Sequence, residues 1–127
     1  MKYKLYTVNR LCRNEGVGDY IVSGYTDWWD VECTETGSRK FNKLLLIHEL
    51  VECMLIQEAG IEESEIDKFD AENIDAPEPG ELLSAPYHKE HVHAEFVEKY
   101  LCEAMGIDWN DYSNAIDELI KRYESKR

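Results

Sequence analysis

Nothing in this sequence approaches the run of about 20 apolar residues that a membrane span requires. Its polar opening, MKYKLYTVNR, lacks the apolar core of a signal peptide. The expectation is a cytoplasmic protein that does not enter a membrane. The four cysteines, Cys12, Cys33, Cys53 and Cys102, form no CxxC pair and no closely spaced framework. Neither a zinc ribbon nor a disulfide scaffold is indicated, and free, buried thiols are expected instead. Prolines are few, and all three fall between positions 77 and 86. Basic residues are scarce as well, with 14 Lys and Arg against 27 Asp and Glu, a net charge of −13. The deficit is local: residues 1–43 carry +1, residues 44–107 carry −13 and residues 108–127 carry −1. A surface so short of Lys and Arg cannot displace counterions from a nucleic-acid backbone, which argues against direct binding of one. It could imitate such a backbone, or engage a basic partner.

What is present is enough for one core. A chain of 127 residues with 43% apolar content fits a single domain over 1–127. Residues 3–10 and 19–24 are β-prone and are separated by the turn-rich NEGVGD, which predicts a hairpin. Residues 28–35 alternate as a third strand, with Trp29, Val31 and Cys33 on one face. The expected unit is a small antiparallel sheet. Helical periodicity then runs from about Phe41 to Ala59 and stops at Gly60. A short acidic helix follows in GIEESEIDKFD, then the Pro-rich connection 74–86, a helix over Tyr87–Met105, and a last amphipathic helix through Trp109, Tyr112, Ile116, Leu119 and Tyr123. The fold class is therefore α+β, three strands followed by about four helices. An irregular connection as long as 74–86 is more often functional than filler.

The candidate chemistry starts in LLLIHELVECML, residues 44–55. On a helical wheel His48 and Glu52 lie within about 40° of each other. Their flanks are Leu44, Leu45, Val51, Leu55 and Ile56, so both polar side chains fall inside the apolar arc. A carboxylate buried there costs several kcal/mol unless it is paired or holds a metal. Glu49 projects about 100° away, where it could act as a general base on water. A second cluster, PYHKEHVHAEFVE, contains the other three histidines; His91, Glu95 and Glu98 share one stripe at the margin of an apolar arc. His48, Glu52 and His91 thus make a set of two histidines and one carboxylate, and the metal site is expected between the two central helices. Such a set leaves a coordination position open, as in catalytic zinc sites. His88, Glu98, Glu95 and Asp70 are candidate extra ligands or groups that orient a ligand, with Asp67 beside them; Tyr87 is a candidate donor near the ion. His93 points about 160° from His91. Against this, His88 and His93 also fit an exposed helix with incidental histidines, and the aspartates fit capping and solubility.

The run from LLLIHELVECML through GI, EIDKFD and PYHKEHVHAEFVEKYLCEAMGIDWNDY resembles a family of small bacterial and phage proteins whose activity is uncharacterised. Its pattern is an HExxE helix, an acidic FD turn, a PYxxxH helix start and a closing Gly-Ile/Val-Asp-Trp. The resemblance spans residues 44–112. It implies a shared, zincin-like metal site that places His48, Glu49, Glu52, Asp70, Tyr87, His91 and Glu98 at the family's polar positions. It implies nothing about substrate. A true zincin helix is HExxH, and here Glu52 replaces the second histidine.

Three readings compete. The first is a metal-dependent hydrolase with zinc or a similar divalent ion on His48, Glu52 and His91, Glu49 as base, and a small-molecule or peptide substrate. The second is an acidic binding or mimic protein of the phage-inhibitor type, whose metal, if any, is structural. The third is a metal-free domain in which these residues form a polar core network. Burial of His48 and Glu52 separates the first and third from the second. Trp28, Trp29 and Trp109 leave room for an apolar interface, hence a homo-oligomer.

Overall fold

In the computed structural model, residues 1–22 and 28–126 are described. Three strands, β1 (Lys2–Val8), β2 (Gly18–Val22) and β3 (Trp28–Thr34), are followed by four helices, α1 (Arg39–Ala59), α2 (Glu63–Glu72), α3 (His88–Ala104) and α4 (Trp109–Glu124). The α+β class with about four helices is therefore as expected. The pairing of the sheet is not. Its order is β1-β3-β2, with β1 parallel to β3 and β2 antiparallel to it. The β1–β2 hairpin does not form, and the sheet is mixed rather than wholly antiparallel. The last two positions of the expected strand 19–24 lie outside the described residues.

The reason lies in the connection, residues 9–17. It crosses the end of β3 instead of turning back on β1: the Thr34 amide donates to the Val17 carbonyl at 2.8 Å, and the Glu35 amide donates to the Val8 carbonyl at 2.8 Å. Arg10 clamps Glu32 of β3 through two hydrogen bonds of 3.2 Å. Asn14 takes a left-handed conformation, φ 57°, a geometry Asn tolerates better than most residues. With a neighbour on each side, β3 is the central strand. Val31 and Cys33 are fully buried toward the helices.

Helix α1 starts where Ser38 accepts a hydrogen bond from the Phe41 amide at 3.2 Å, and it ends at Gly60, whose φ of 72° suits a residue without a Cβ. Ser38→Ala should lower stability by about 1 kcal/mol without affecting the centre described below, a loss that chemical denaturation would detect. Helix α1 passes between two apolar clusters. Leu44 and Leu45 join Cys33, Cys102 and Tyr112, while Cys53 and Ile56 join Tyr20, Val31 and Ile66. His48 falls in the gap between them. The four cysteines are free and buried, as expected. Among the described residues, no helix is long and apolar enough to cross a membrane.

Candidate metal centre

Helices α1 and α3 lie side by side and bring the predicted ligand set together. His48 Nε2 is 3.2 Å from Glu52 Oε2 and 3.2 Å from His91 Nδ1, and His91 Nδ1 is 3.1 Å from Glu52 Oε2. The three atoms form a nearly equilateral triangle in the interior, with His48, Glu52 and His91 between 5% and 7% exposed. Donors about 2.1 Å from one tetrahedral ion would stand about 3.4 Å apart. The observed triangle is close to that spacing, and these residues could hold a metal ion.

Proton accounting points the same way. Glu52 is ionised: burial works against the charge, but hydrogen bonds to His48 and His91 outweigh it and lower its pKa to about 2. With Oε2 accepting only, protons can sit on His48 Nε2, on His91 Nδ1, or on both. One proton leaves a lone pair on the other nitrogen facing the carboxylate. Two protons set donor against donor across the 3.2 Å His48–His91 edge. No assignment satisfies all three edges, whereas a single cation would.

The surroundings orient this set. His48 Nδ1 donates to Glu98 Oε1 at 2.7 Å, which leaves Nε2 to face the triangle. Tyr112 donates to the other Glu98 oxygen at 2.6 Å, and Tyr20 donates to Glu52 Oε1 at 2.9 Å. Each tyrosine reaches in from a different apolar cluster, so the two halves of the core meet at the centre. Burial first, and then the neighbouring carboxylates, push both phenols well above the usual tyrosine range, so they stay protonated donors. For the His48 ring, burial opposes protonation, but hydrogen bonds to Glu52 and Glu98 outweigh it and raise its pKa. A metal must therefore displace a firmly held proton, so loading should strengthen as pH rises.

The remaining candidates divide. Glu98 lies against His48 Nδ1, outside the triangle itself. Tyr87 packs edge-on against the His91 ring but sends its hydroxyl to Asp70, so neither residue reaches the triangle. His88 hydrogen-bonds the Gly80 carbonyl at 2.9 Å, and Glu95 pairs with Lys99 at 3.6 Å; both lie outside the ligand set. His93 is exposed. Asp67 accepts from the Asn14 amide group at 2.9 Å, away from the centre. Glu49 lies off the ligand stripe: its carboxylate rests against Gly18 of β2, where an added Cβ would come within 2.5 Å of Oε1. It has no hydrogen-bond partner among the described residues. Burial first, then the Glu52 charge, raises its pKa well above the carboxylate range.

Sequence reasoning missed Tyr20, Tyr112 as a polar partner, and Gly80. Tyr112 reads only as part of an amphipathic face and Tyr20 only within a β-prone run, although a buried phenol needs an acceptor, and that requirement was the available signal. Gly80 sits in a 3₁₀ turn, Pro79–Glu81, pressed on the His91 ring; an added Cβ would lie 2.5 Å from its Cγ. No pattern in the Pro-rich segment announces that contact.

Asp70 supplies a pH test. Burial first, then the charges of Glu52, Asp19 and Asp67, push its pKa up to about 6 against the lowering effect of the Tyr87 hydrogen bond. Between the ordinary carboxylate range and that value the folded state holds more proton than the unfolded chain, so this group makes stability fall as pH rises. Asp70→Asn keeps an acceptor for Tyr87 and should gain up to about 1 kcal/mol over wild type at pH 7, with no gain at pH 3. Parallel denaturant titrations at the two pH values measure it.

Set against family models, curated proteins and solved structures, the chain matches none of them.

Proposed function

We propose that this protein is a metal-dependent hydrolase of the zinc type, with His48, Glu52 and His91 as ligands and Glu49 as general base. The observation that carries the reading is the convergence of two imidazole nitrogens and one carboxylate oxygen in a buried triangle with edges of 3.1–3.2 Å. Two neutral nitrogens and one oxygen suit a borderline ion such as zinc, and three protein ligands leave one tetrahedral position unclaimed. Bound there, such an ion supplies a Lewis acid and lowers the pKa of water. The chain's own residues do the rest. Glu98 holds the His48 ring in its tautomer, Tyr20 fixes the Glu52 carboxylate, and Glu49 takes a proton from water. A cation on the triangle would favour the ionised form of Glu49 over the protonated form that its surroundings otherwise hold. The role is supported by a half-buried carboxylate without a hydrogen-bond partner among the described residues, one residue beyond His48, with Gly18 leaving it room. The substrate class stays broad, a small molecule or peptide carrying a hydrolysable ester, phosphodiester or amide.

The test uses Glu49, the motif residue that need not touch an ion. Glu49→Gln is nearly isosteric and should keep metal and melting temperature while losing 10²–10⁴-fold in turnover on whichever generic ester, phosphodiester or peptide substrate the wild type cleaves. Loss of metal from Glu49→Gln would make Glu49 a ligand and end its assignment as base.

A second reading is an acidic binding protein with a structural ion. Closure of the Pro79–Glu81 turn over His91 favours it. So do two surface cavities among the described residues, of about 360 and 230 Å³, since no residue of the centre lines either one. Under that reading the metal contributes to stability, and no substrate in the screen is turned over.

A further inference from the structure

His91 presents two ring nitrogens, and only Nδ1 belongs to the triangle. Its Nε2 is shut off from solvent in a side chain 8% exposed, and no hydrogen-bond partner meets it. A buried polar atom left in this way is costly unless something compensates it. What faces it is acidic: Glu81 Oε1 lies 3.4 Å away. Glu78 joins them, so that one donor atom from each of Glu78, Glu81 and His91 lies within 4.8 Å of the others.

The turn that carries these carboxylates is built against the ring. Gly80 stands between Pro79 and Glu81, and an added Cβ there would come within 2.6 Å of His91 Nδ1, so only glycine lets the turn approach this closely. His88, one helical turn before His91 on the Pro-rich side, pins the Gly80 carbonyl at 2.9 Å. The same turn therefore shields the inner nitrogen and presents acid to the outer one.

We propose that His91 Nε2, Glu78 and Glu81 form a second divalent-cation site, so that the His91 ring bridges an inner ion on Nδ1 and an outer ion on Nε2. With the inner ion in place, a neutral His91 carries its one proton on Nε2. The outer cation takes that nitrogen's electron pair, and the proton leaves to solvent, one per outer ion bound. The ring becomes an imidazolate shared by both ions, and its charge together with those of Glu52, Glu78 and Glu81 balances the two divalent cations. Two metal–nitrogen bonds of about 2 Å with the ring between them put the ions about 6 Å apart. That exceeds the roughly 4 Å at which two ions share one substrate oxygen. The outer ion therefore clamps the turn over the inner centre instead of joining in its chemistry. One imidazole and two carboxylates suit Zn²⁺, Mn²⁺ or Co²⁺.

The test titrates metal-stripped full-length protein with Co²⁺ under equilibrium dialysis, beside the double variant Glu78→Gln, Glu81→Gln. Both carboxylates are exposed, so the variant should fold as the wild type does. Two equivalents in the wild type and one in the variant, with the visible spectrum of the remaining ion little changed, are expected. Two equivalents in both proteins would overturn the outer site. One equivalent in both would overturn it too, while sparing the inner centre. One in the wild type and none in the variant would overturn the inner ion and the bridge with it, leaving a single site on Nε2. No uptake by either protein would overturn both sites and the hydrolase reading with them.

Discussion

Glu52→Ala should yield a protein that takes up no ion at the inner centre and melts roughly 10–20 °C below the wild type. Glu52 is the single anion of the triangle, 5% exposed, and both its oxygens are engaged, Oε2 by the two histidines and Oε1 by Tyr20. Truncation removes a proposed metal ligand and also leaves His48 Nε2, His91 Nδ1 and the Tyr20 hydroxyl facing a void. Breaking a buried charged pair from one side costs about 3–5 kcal/mol, because the partner's polar atoms stay buried without compensation. Elemental analysis and thermal melting, each with and without added Zn²⁺, read the two effects separately. If the variant keeps its ion and melts within a few degrees of the wild type, the triangle is not a binding site.

The second large effect belongs to a residue that touches no ion. Glu98→Ala should weaken metal binding by 10–100-fold and cost about 2–4 kcal/mol of stability. Glu98 accepts from His48 Nδ1 at 2.7 Å and from Tyr112 at 2.6 Å, so its loss frees the His48 tautomer and orphans a phenol that is 2% exposed. Tyr112→Phe is the control. It removes the phenol's hydrogen bond but leaves the Glu98–His48 contact in place, and should cost about 1 kcal/mol with metal affinity nearly unchanged. Competition titrations against a chelator rank the three proteins. Equal affinity in Glu98→Ala and wild type would mean that packing alone sets the His48 ring.

Much of this centre was legible before any coordinates. A histidine and a glutamate four apart inside an apolar arc cannot face water, and a helix that buries them must supply or attract a partner. By the same spacing His91 falls at the margin of the apolar arc of its helix, within reach of a neighbour. Helical spacing could not assign Asp70, because a carboxylate within an acidic helix satisfies capping, solubility and ligation equally well. In the fold, that residue serves Tyr87. Nor could it see that Glu49, adjacent to His48 in the chain, would come to rest against a glycine of β2.

The sheet shows the same division. Two β-prone runs, the alternation in 28–35 and a turn-rich spacer identified three strands and their approximate bounds, because β-propensity and alternation are properties of each strand alone. Which edges pair is a contest between strands, and local composition does not decide it. The contest went to β3, which has a partner on either side, once the connection 9–17 crossed its end and Arg10 secured Glu32. By itself the sequence determined the helices, their stops and the faces that bear His48, Glu52, His91 and Glu98, since all of these follow from helical spacing. Only the tertiary structure decided that Tyr20 from one apolar cluster and Tyr112 from the other would close on those faces, and that Gly80 would lie against His91. Those contacts join residues far apart in the chain, and only packing within one shared interior brings them to hydrogen-bonding distance.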